Sequence, residues 1–301
     1  MPYKHVALIG LGLISSSIAL SLRRENSNVR ITGTSRSFET RTKAVQLGIC
    51  EVFESSVETV DGADLVVLCV PVGAMASVVK EFASTLEPGV TLTDVGSVKV
   101  EVIANVTPLL PKGINFIPGH PLAGTEHSGP DSGFSTLFDN RWCLLTPLKK
   151  TPLEPLNRLR KFWEGLGAKV DIMEAEHHDL VLAVTSHVPH LIAYTMVGVA
   201  DDLANVTKSE VINYSAAGFR DFTRIAASDP TMWRDVFLNN KDASLEILGR
   251  FTEELTALQR AVRRGDGDLL FDYFTRTRLV RRRILDAGQD TEEPNFGREK
   301  N

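Results

Sequence analysis

A doubly wound α/β domain followed by an all-helical one is the architecture this 301-residue sequence predicts, and three observations carry it. Short apolar runs rich in β-branched residues alternate with helix-like stretches through the first half. Their unbroken apolarity demands burial on both sheet faces, as in a mostly parallel sheet wound with right-handed crossovers. After about residue 174 the strand pattern stops and long helical periodicity takes over. A hydrophobic fraction of 43% is enough to build two domains on this length.

In chain order the expected strands are "HVALIG" (5–10), "VRITGT" (29–34), "LVVLCV" (65–70), "VTLTDV" (90–95), "INFIPG" (114–119), "WCLLTP" (142–147) and "AKVDIM" (168–173), the later ones open to antiparallel pairing. The helical half runs from "HDLVLAVTSHVPHLIAYTMVGVADDLA" through "DASLEILGRFTEELTALQRAVRR" to "LLFDYFTRTRLVRRRIL". This places a sheet domain over 1–174 and a helical domain over 175–287. A tail, 288–301, has little to bury and is expected to be disordered. No internal repeat is visible.

A net charge of −5 and a pI near 5.9 offer nothing to nucleic acid or an anionic membrane, and "RLVRRR" (278–283) reads as a solvated helix face. Cys50, Cys69 and Cys143 show no metal spacing and cannot all pair, which fits a reducing compartment. The apolar stretches "LVVLCVPVGAMA" and "VPHLIAYTMVGVA" fall short of the ~18 residues of a membrane span, and the chain enters a strand almost at once. The expectation is a soluble cytoplasmic protein.

"GLGLIS" (10–15) follows the first strand and opens a helix, the G-x-G-x-x-G pattern with serine last. Gly10 permits the tight turn, Gly12 lets backbone amides approach a diphosphate, and small Ser15 keeps the helix against the sheet. In that context the motif predicts a Rossmann-type dinucleotide site, with Leu13 and Ile14 in the helix's first turn and Val70 and Pro71 after the third strand as further cofactor contacts. An NAD site places an acid about 20 residues beyond the glycines to hold the ribose hydroxyls. Here Ser35 stands there and Arg36 follows, offering a hydroxyl and a guanidinium where NADP carries its phosphate; NADP is favoured, NAD the alternative. Three loops, "CVPVGA", "DVGSVK" and "GHPLAGTEHSG" (119–129), point to the same crevice. The last, with three glycines and a proline, reads as loop, neither helix nor regular strand.

"DVGSVK", "GHPLAGTE", "SHVPH" and "GFRDFTRIAASDPTMW" occur in this order over roughly residues 5 to 285 and resemble the prephenate dehydrogenase family, with its arogenate and cyclohexadienyl members. The resemblance implies oxidative decarboxylation of prephenate to 4-hydroxyphenylpyruvate for tyrosine biosynthesis. It also implies hydride transfer to a nicotinamide and a homodimer through the helical domain; the sequence given ends soon after that domain, so the regulatory or mutase domains some relatives carry are not expected. It makes His120 the catalytic proton acceptor and Ser97 its hydroxyl partner, with a helix N-cap as the other reading of Ser97. Thr125, Glu126, His187 and His190 become substrate-side residues, and Arg224 the grip on the side-chain carboxylate. The chemistry agrees: a neutral imidazole can take the carbinol proton, and a guanidinium binds a carboxylate bidentately. Pro189 between the two histidines predicts a helix kink. No third ligand accompanies His187 and His190, so no metal is expected. Trp233 reads as packing. Relatives acting on β-hydroxy acids share the architecture but use a lysine in the helical domain, and none stands between residue 170 and Lys208. A binding-only nucleotide sensor would need neither His120 nor Arg224. "GTEHSG" and "SHVPH" favour prephenate over arogenate.

Overall fold

A computed structural model describes residues 1–25, 28–125, 127–203 and 216–286. Glu126 and the expected tail 288–301 lie outside the described residues.

Six strands make the main sheet: β1 (His5–Ile9), β2 (Arg30–Thr34), β3 (Glu51–Val52), β4 (Leu65–Leu68), β5 (Thr91–Asp94) and β6 (Asn115–Phe116). Their order is β3-β2-β1-β4-β5-β6, every adjacent pair parallel. The order reverses between β1 and β4, so the crevice at their carboxyl ends is where a ligand belongs. Helices α1 (Leu13–Arg24), α2 (Phe38–Gln46), α3 (Ser56–Val60), α4 (Val72–Phe82) and α5 (Val100–Val106) follow strands of this sheet. Alternate β1 residues feed two cores. Val6 and Leu8 join Ile18, Leu22, Phe162 and Trp163, whereas Ala7 and Ile9 join Val78, Phe82 and Val102. Burial on both sides is why the strand reads apolar throughout. Two-residue β3, half polar and hardly buried, left no such signal.

The run expected over 114–119 is two elements. β6 stops at Phe116, and β7 (Gly119–Pro121) starts a second sheet with β8 (Trp142–Leu145) and β9 (Lys169–Ile172), in the order β7-β8-β9. The β7–β8 pair is antiparallel, with His120 opposite Leu144, and β8–β9 is parallel. His120 therefore sits on a strand, which corrects the all-loop reading of "GHPLAGTEHSG". Pro121 is tolerated because β7 is an outer strand with a partner on one side only. Gly119 marks the joint between the sheets: a Cβ there would stand 3.1 Å from the Asp94 carbonyl oxygen.

After α6 (Leu153–Gly165) and β9 the described elements are helical: α7 (Ala175–Leu182), a π-helical turn (Ala183–His187), α8 (Val188–Leu203), α9 (Ala217–Thr223), α10 (Pro230–Asn239), α11 (Lys241–Arg264) and α12 (Gly267–Asp286). By contacts the chain divides into one unit ending at Leu245 and one starting at Glu246, within α11. Where a kink is expected at Pro189, a π turn stands just before it, a deformation frequent at functional sites. The helical run Ala175–Asp202 is long and apolar enough to cross a membrane by length and composition, against the expectation that no stretch reaches that length. The expectation counted uninterrupted apolar letters, whereas the helix carries its apolar character past His178, Asp179, His187 and His190. Those four polar side chains are lodged in the site described next.

Candidate active site

At the end of β1, Gly10 takes φ +101°, and a Cβ there would stand 2.5 Å from the Cys69 carbonyl oxygen. Glycine is therefore required both by conformation and by the closeness of β4. α1 then begins at Leu13 with Gly12 as its N-cap. Around Gly12 the space is open: a Cβ added there would meet no heavy atom within 4 Å. Ser15 is fully buried, and its Oγ accepts from Gly12 N at 2.8 Å and donates to Gly12 O at 3.1 Å. The third position of the motif thus does more than stay small: it ties the turn to the helix. Open space over a helix N-terminus with no acid in its first turn suits a diphosphate, and a dinucleotide fits these residues. Leu13 and Ile14 lie in that first turn; Val70 and Pro71 follow β4, Pro71 as the N-cap of α4. At the end of β2, Ser35 is half-buried and Arg36 exposed. Arg41, which sequence reasoning did not single out, holds this turn by donating from Nη1 to the Ser35 and Arg36 carbonyls at 2.6 and 3.1 Å.

His120 is 8% exposed, and its Nδ1 lies 2.9 Å from His178 Nε2. His178 Nδ1 lies 2.8 Å from Asp179 Oδ1. The same carboxylate accepts from Lys99 N at 2.8 Å and Val100 N at 2.9 Å, which caps α5. The N-cap alternative for Ser97 accordingly fails, since Lys99 is the N-cap and Asp179 the capping group; Ser97 is half-buried in the turn after β5. The network fixes the protons. An ionised carboxylate can only accept, so His178 donates from Nδ1 and receives at Nε2; His120 then donates from Nδ1 and keeps its lone pair on Nε2. Burial first, then His178, Lys99 and His187, hold the His120 pKa well below the ordinary histidine value. Burial lowers His178 as well, against the pull of Asp179.

Beneath His120 lies an ion pair with both side chains fully buried. Lys99 Nζ donates to Asp94 and, at 2.7 Å, to the Gly119 carbonyl, while Asp94 accepts from Gly96 N at 2.9 Å and Gly119 N at 3.3 Å. Gly119, the residue before His120, is thus held at both its carbonyl and its amide.

His187 is fully buried, and burial lowers its pKa to about 4. Its Nδ1 lies 3.0 Å from Asn240 Nδ2. His190 donates from Nδ1 to the Ser186 carbonyl at 2.8 Å and stacks on Trp233, ring centroids 3.7 Å apart at 26°. Trp233 is a packing residue, as its sequence suggested, and Asp229 caps its helix by accepting from Met232 N at 2.8 Å. Arg224 opens a 3-10 turn after α9, half-buried, and its charge helps to lower the pKa of His190, so these two share one neighbourhood. His120, His187, His190, Arg224 and the Ser97 backbone are thereby linked. Thr125 is not: it is exposed on the loop beyond β7, its Oγ1 accepting from His127 N at 3.2 Å. Among the described residues no cluster of His, Cys, Asp or Glu is arranged to hold a metal ion. Sequence reasoning missed His178, Asp179, Lys99, Asp94 and Asn240; only the adjacent "HHD" at 177–179 offered a local sign.

Comparisons with known proteins point to one family. Residues 18–172 match the prephenate dehydrogenase nucleotide-binding domain and residues 174–276 its dimerization domain. A cyclohexadienyl dehydrogenase of Zymomonas mobilis is 41% identical over 280 residues, 93% of this chain and 95% of that protein. A prephenate dehydrogenase of Bacillus subtilis is 36% identical over 271 residues, 89% of this chain and 73% of that one. The crystal structure of an Aquifex aeolicus prephenate dehydrogenase in complex with hydroxyphenyl propionate and NAD+ superposes with a TM-score of 0.86 at 35% identity, covering 93% of this chain and 98% of that one. A nucleotide-binding sheet domain, a buried imidazole at its crevice and matches across both parts of the chain lead to one conclusion: the chain belongs to the prephenate dehydrogenase family of oxidoreductases.

Proposed function

We propose that this protein oxidatively decarboxylates prephenate to 4-hydroxyphenylpyruvate, with His120 as the base. The observation that carries the reading is the chain Asp179–His178–His120, which leaves a neutral Nε2 lone pair on a buried imidazole. When bound, a nicotinamide dinucleotide supplies the hydride acceptor. His120 Nε2 takes the carbinol proton as the ring carbon gives up its hydride; the ring carboxylate then leaves as CO₂, and the phenolate oxygen takes the proton back from His120. Charge on the imidazole is offset through His178 by Asp179. Ser97 is the hydroxyl partner, and His187, His190, Thr125 and Glu126 are substrate-side residues. Arg224 holds the side-chain carboxylate, since a strong ion pair on the leaving carboxylate would oppose its departure as a neutral molecule.

The exposed Arg36 beside Ser35, with no acid at that strand end, supports NADP over NAD. Apolar side chains exposed on α11 and α12, among them Leu255, Val262, Phe271 and Phe274, support a homodimer through the helical part. Its boundary is read after residue 174, close to where the two matched segments, 18–172 and 174–276, adjoin. Three free cysteines support a cytoplasmic location. A second reading, activity on both prephenate and arogenate, is favoured by the similarity to the cyclohexadienyl dehydrogenase of Zymomonas. The test is kcat/KM for each substrate, followed by absorbance of the reduced nicotinamide. Turnover of neither removes the proposal, comparable kcat/KM for the two substrates replaces it with the second reading, and an arogenate preference above about tenfold overturns both.

A further inference from the structure

Asn240 joins α10 to α11 and is buried. Its Nδ2 donates to the Asp179 main-chain carbonyl at 2.8 Å and stands 3.0 Å from His187 Nδ1. A carbonyl oxygen can only accept, so the amide group turned to this corner is the NH₂, and its second hydrogen serves His187. His187 Nδ1 therefore carries the lone pair, and the single proton of the neutral ring is on Nε2. The groups facing this ring are Asp179 and His178 from α7, His190 from α8, the Ser97 backbone from the turn after β5 and the Trp233 ring from α10. The Ser97 backbone is turned toward the ring without closing a hydrogen bond on Nε2, which is buried and has no partner among the described residues.

We propose that Asn240 is a positioning residue that makes His187 an obligate hydrogen-bond donor at Nε2. One residue then sets the two histidines in opposite senses. The Asp179 carboxylate, through His178, makes His120 an acceptor, and the Asp179 main-chain carbonyl, through Asn240, makes His187 a donor. A base and a donor fixed in this way divide the work on one oxygen-rich substrate: His120 receives the carbinol proton, and His187 offers its N–H to a substrate oxygen, carboxylate or carbonyl. A buried donor left unmatched costs about 1–3 kcal/mol, so a molecule lacking that acceptor is disfavoured. What the donor serves rests on the dehydrogenase reading; the tautomer itself does not.

The experiment is long-range proton–nitrogen correlation NMR at neutral pH on the full-length protein labelled with ¹⁵N-histidine, without substrate or cofactor. The His187 signals are identified by their loss in His187→Gln. The expected result is a protonated Nε2 and an unprotonated Nδ1. In Asn240→Asp, whose carboxylate can only accept, a proton should appear on Nδ1, and kcat/KM should fall roughly 5- to 30-fold, the equivalent of one or two lost kcal/mol. An unprotonated Nε2 in the wild type overturns the proposal, as does Asn240→Asp with the wild-type tautomer. Should Asn240→Asp not fold, the wild-type spectrum decides alone. Because the tautomer is read without turnover, loss of this proposal leaves the dehydrogenase reading standing, and absence of turnover leaves the tautomer assignment standing.

Discussion

At the cofactor corner Gly10, Gly12 and Ser15 lie within six residues, carry no charge and act through backbone and small size. At the histidine cluster, Lys99, His120, His178–Asp179 and Asn240 come from four distant stretches and act through buried polar and ionisable groups. The first region is limited by sterics: its atoms must not meet. The second is limited by hydrogen-bond logic and desolvation, where each group is tolerable only because a partner assigns its proton. At Gly10 the first corner tolerates no added atom, whereas a cluster of the second kind tolerates changes of shape better than changes of donor to acceptor.

The largest effect expected from separating the two regions is at His120. His120→Asn should lower kcat by roughly 10² to 10⁴ while the dissociation constant of the dinucleotide, read by fluorescence titration, stays within about twofold. Unchanged kcat would move the base elsewhere. Gly10→Ala should do the converse. Its Cβ meets the Cys69 carbonyl at 2.5 Å in a left-handed backbone, so unfolding in urea should show a loss of roughly 2–5 kcal/mol together with weaker dinucleotide binding. A loss under about 1 kcal/mol would mean that the corner yields more easily than its contacts indicate.

Next comes acid sensitivity, which only the charged cluster should confer. His187 has a folded-state pKa near 4 against an unfolded 6.5. The unfolded chain therefore binds the proton first, and the stability supplied by keeping this ring neutral is complete above pH 6.5 and lost as pH falls toward 4. For one such buried group the loss is on the order of 3 kcal/mol. Denaturation curves at a series of pH values should show it, and His187→Gln should flatten the slope; equal slopes would mean that other groups set the acid response. The smallest effect lies at the β2 end. Ser35→Asp with Arg36→Ala should move the kcat/KM ratio for the two cofactors toward NAD, on the order of tenfold for one exposed charge interaction. A wild type preferring NAD would remove the case for NADP.

The same contrast explains what was legible in the sequence alone. The glycine corner is a local motif, and its strand context could be read from continuous apolar runs because those strands are buried on both faces. β7 could not: the residues Gly119–Pro121 carry no strand propensity and become a strand only because Trp142–Leu145 supplies the partner. His120 was found by its motif, but His178 and Asp179 were not, since Asp179 declares itself only by capping α5 some 80 residues earlier in the chain. Lys99 stands in the "DVGSVK" loop with nothing local to mark it; full burial against Asp94 is a property of the fold. The apolar run 175–202 was judged letter by letter, whereas its polar members are buried by contacts from elsewhere, Asn240 and Trp233 among them.

The central claim is that His120 is held neutral, with its Nε2 free to accept, inside a buried network. The pH dependence of kcat/KM with prephenate tests it most directly, because that profile reports the free enzyme's base. With burial, His178, Lys99 and His187 all lowering the pKa of His120, the imidazole stays neutral below its ordinary value, so the acid limb should have its midpoint below 6.5 and should vanish from the residual activity of His120→Asn. A limb at or above 6.5, or one that survives in His120→Asn, would contradict the account.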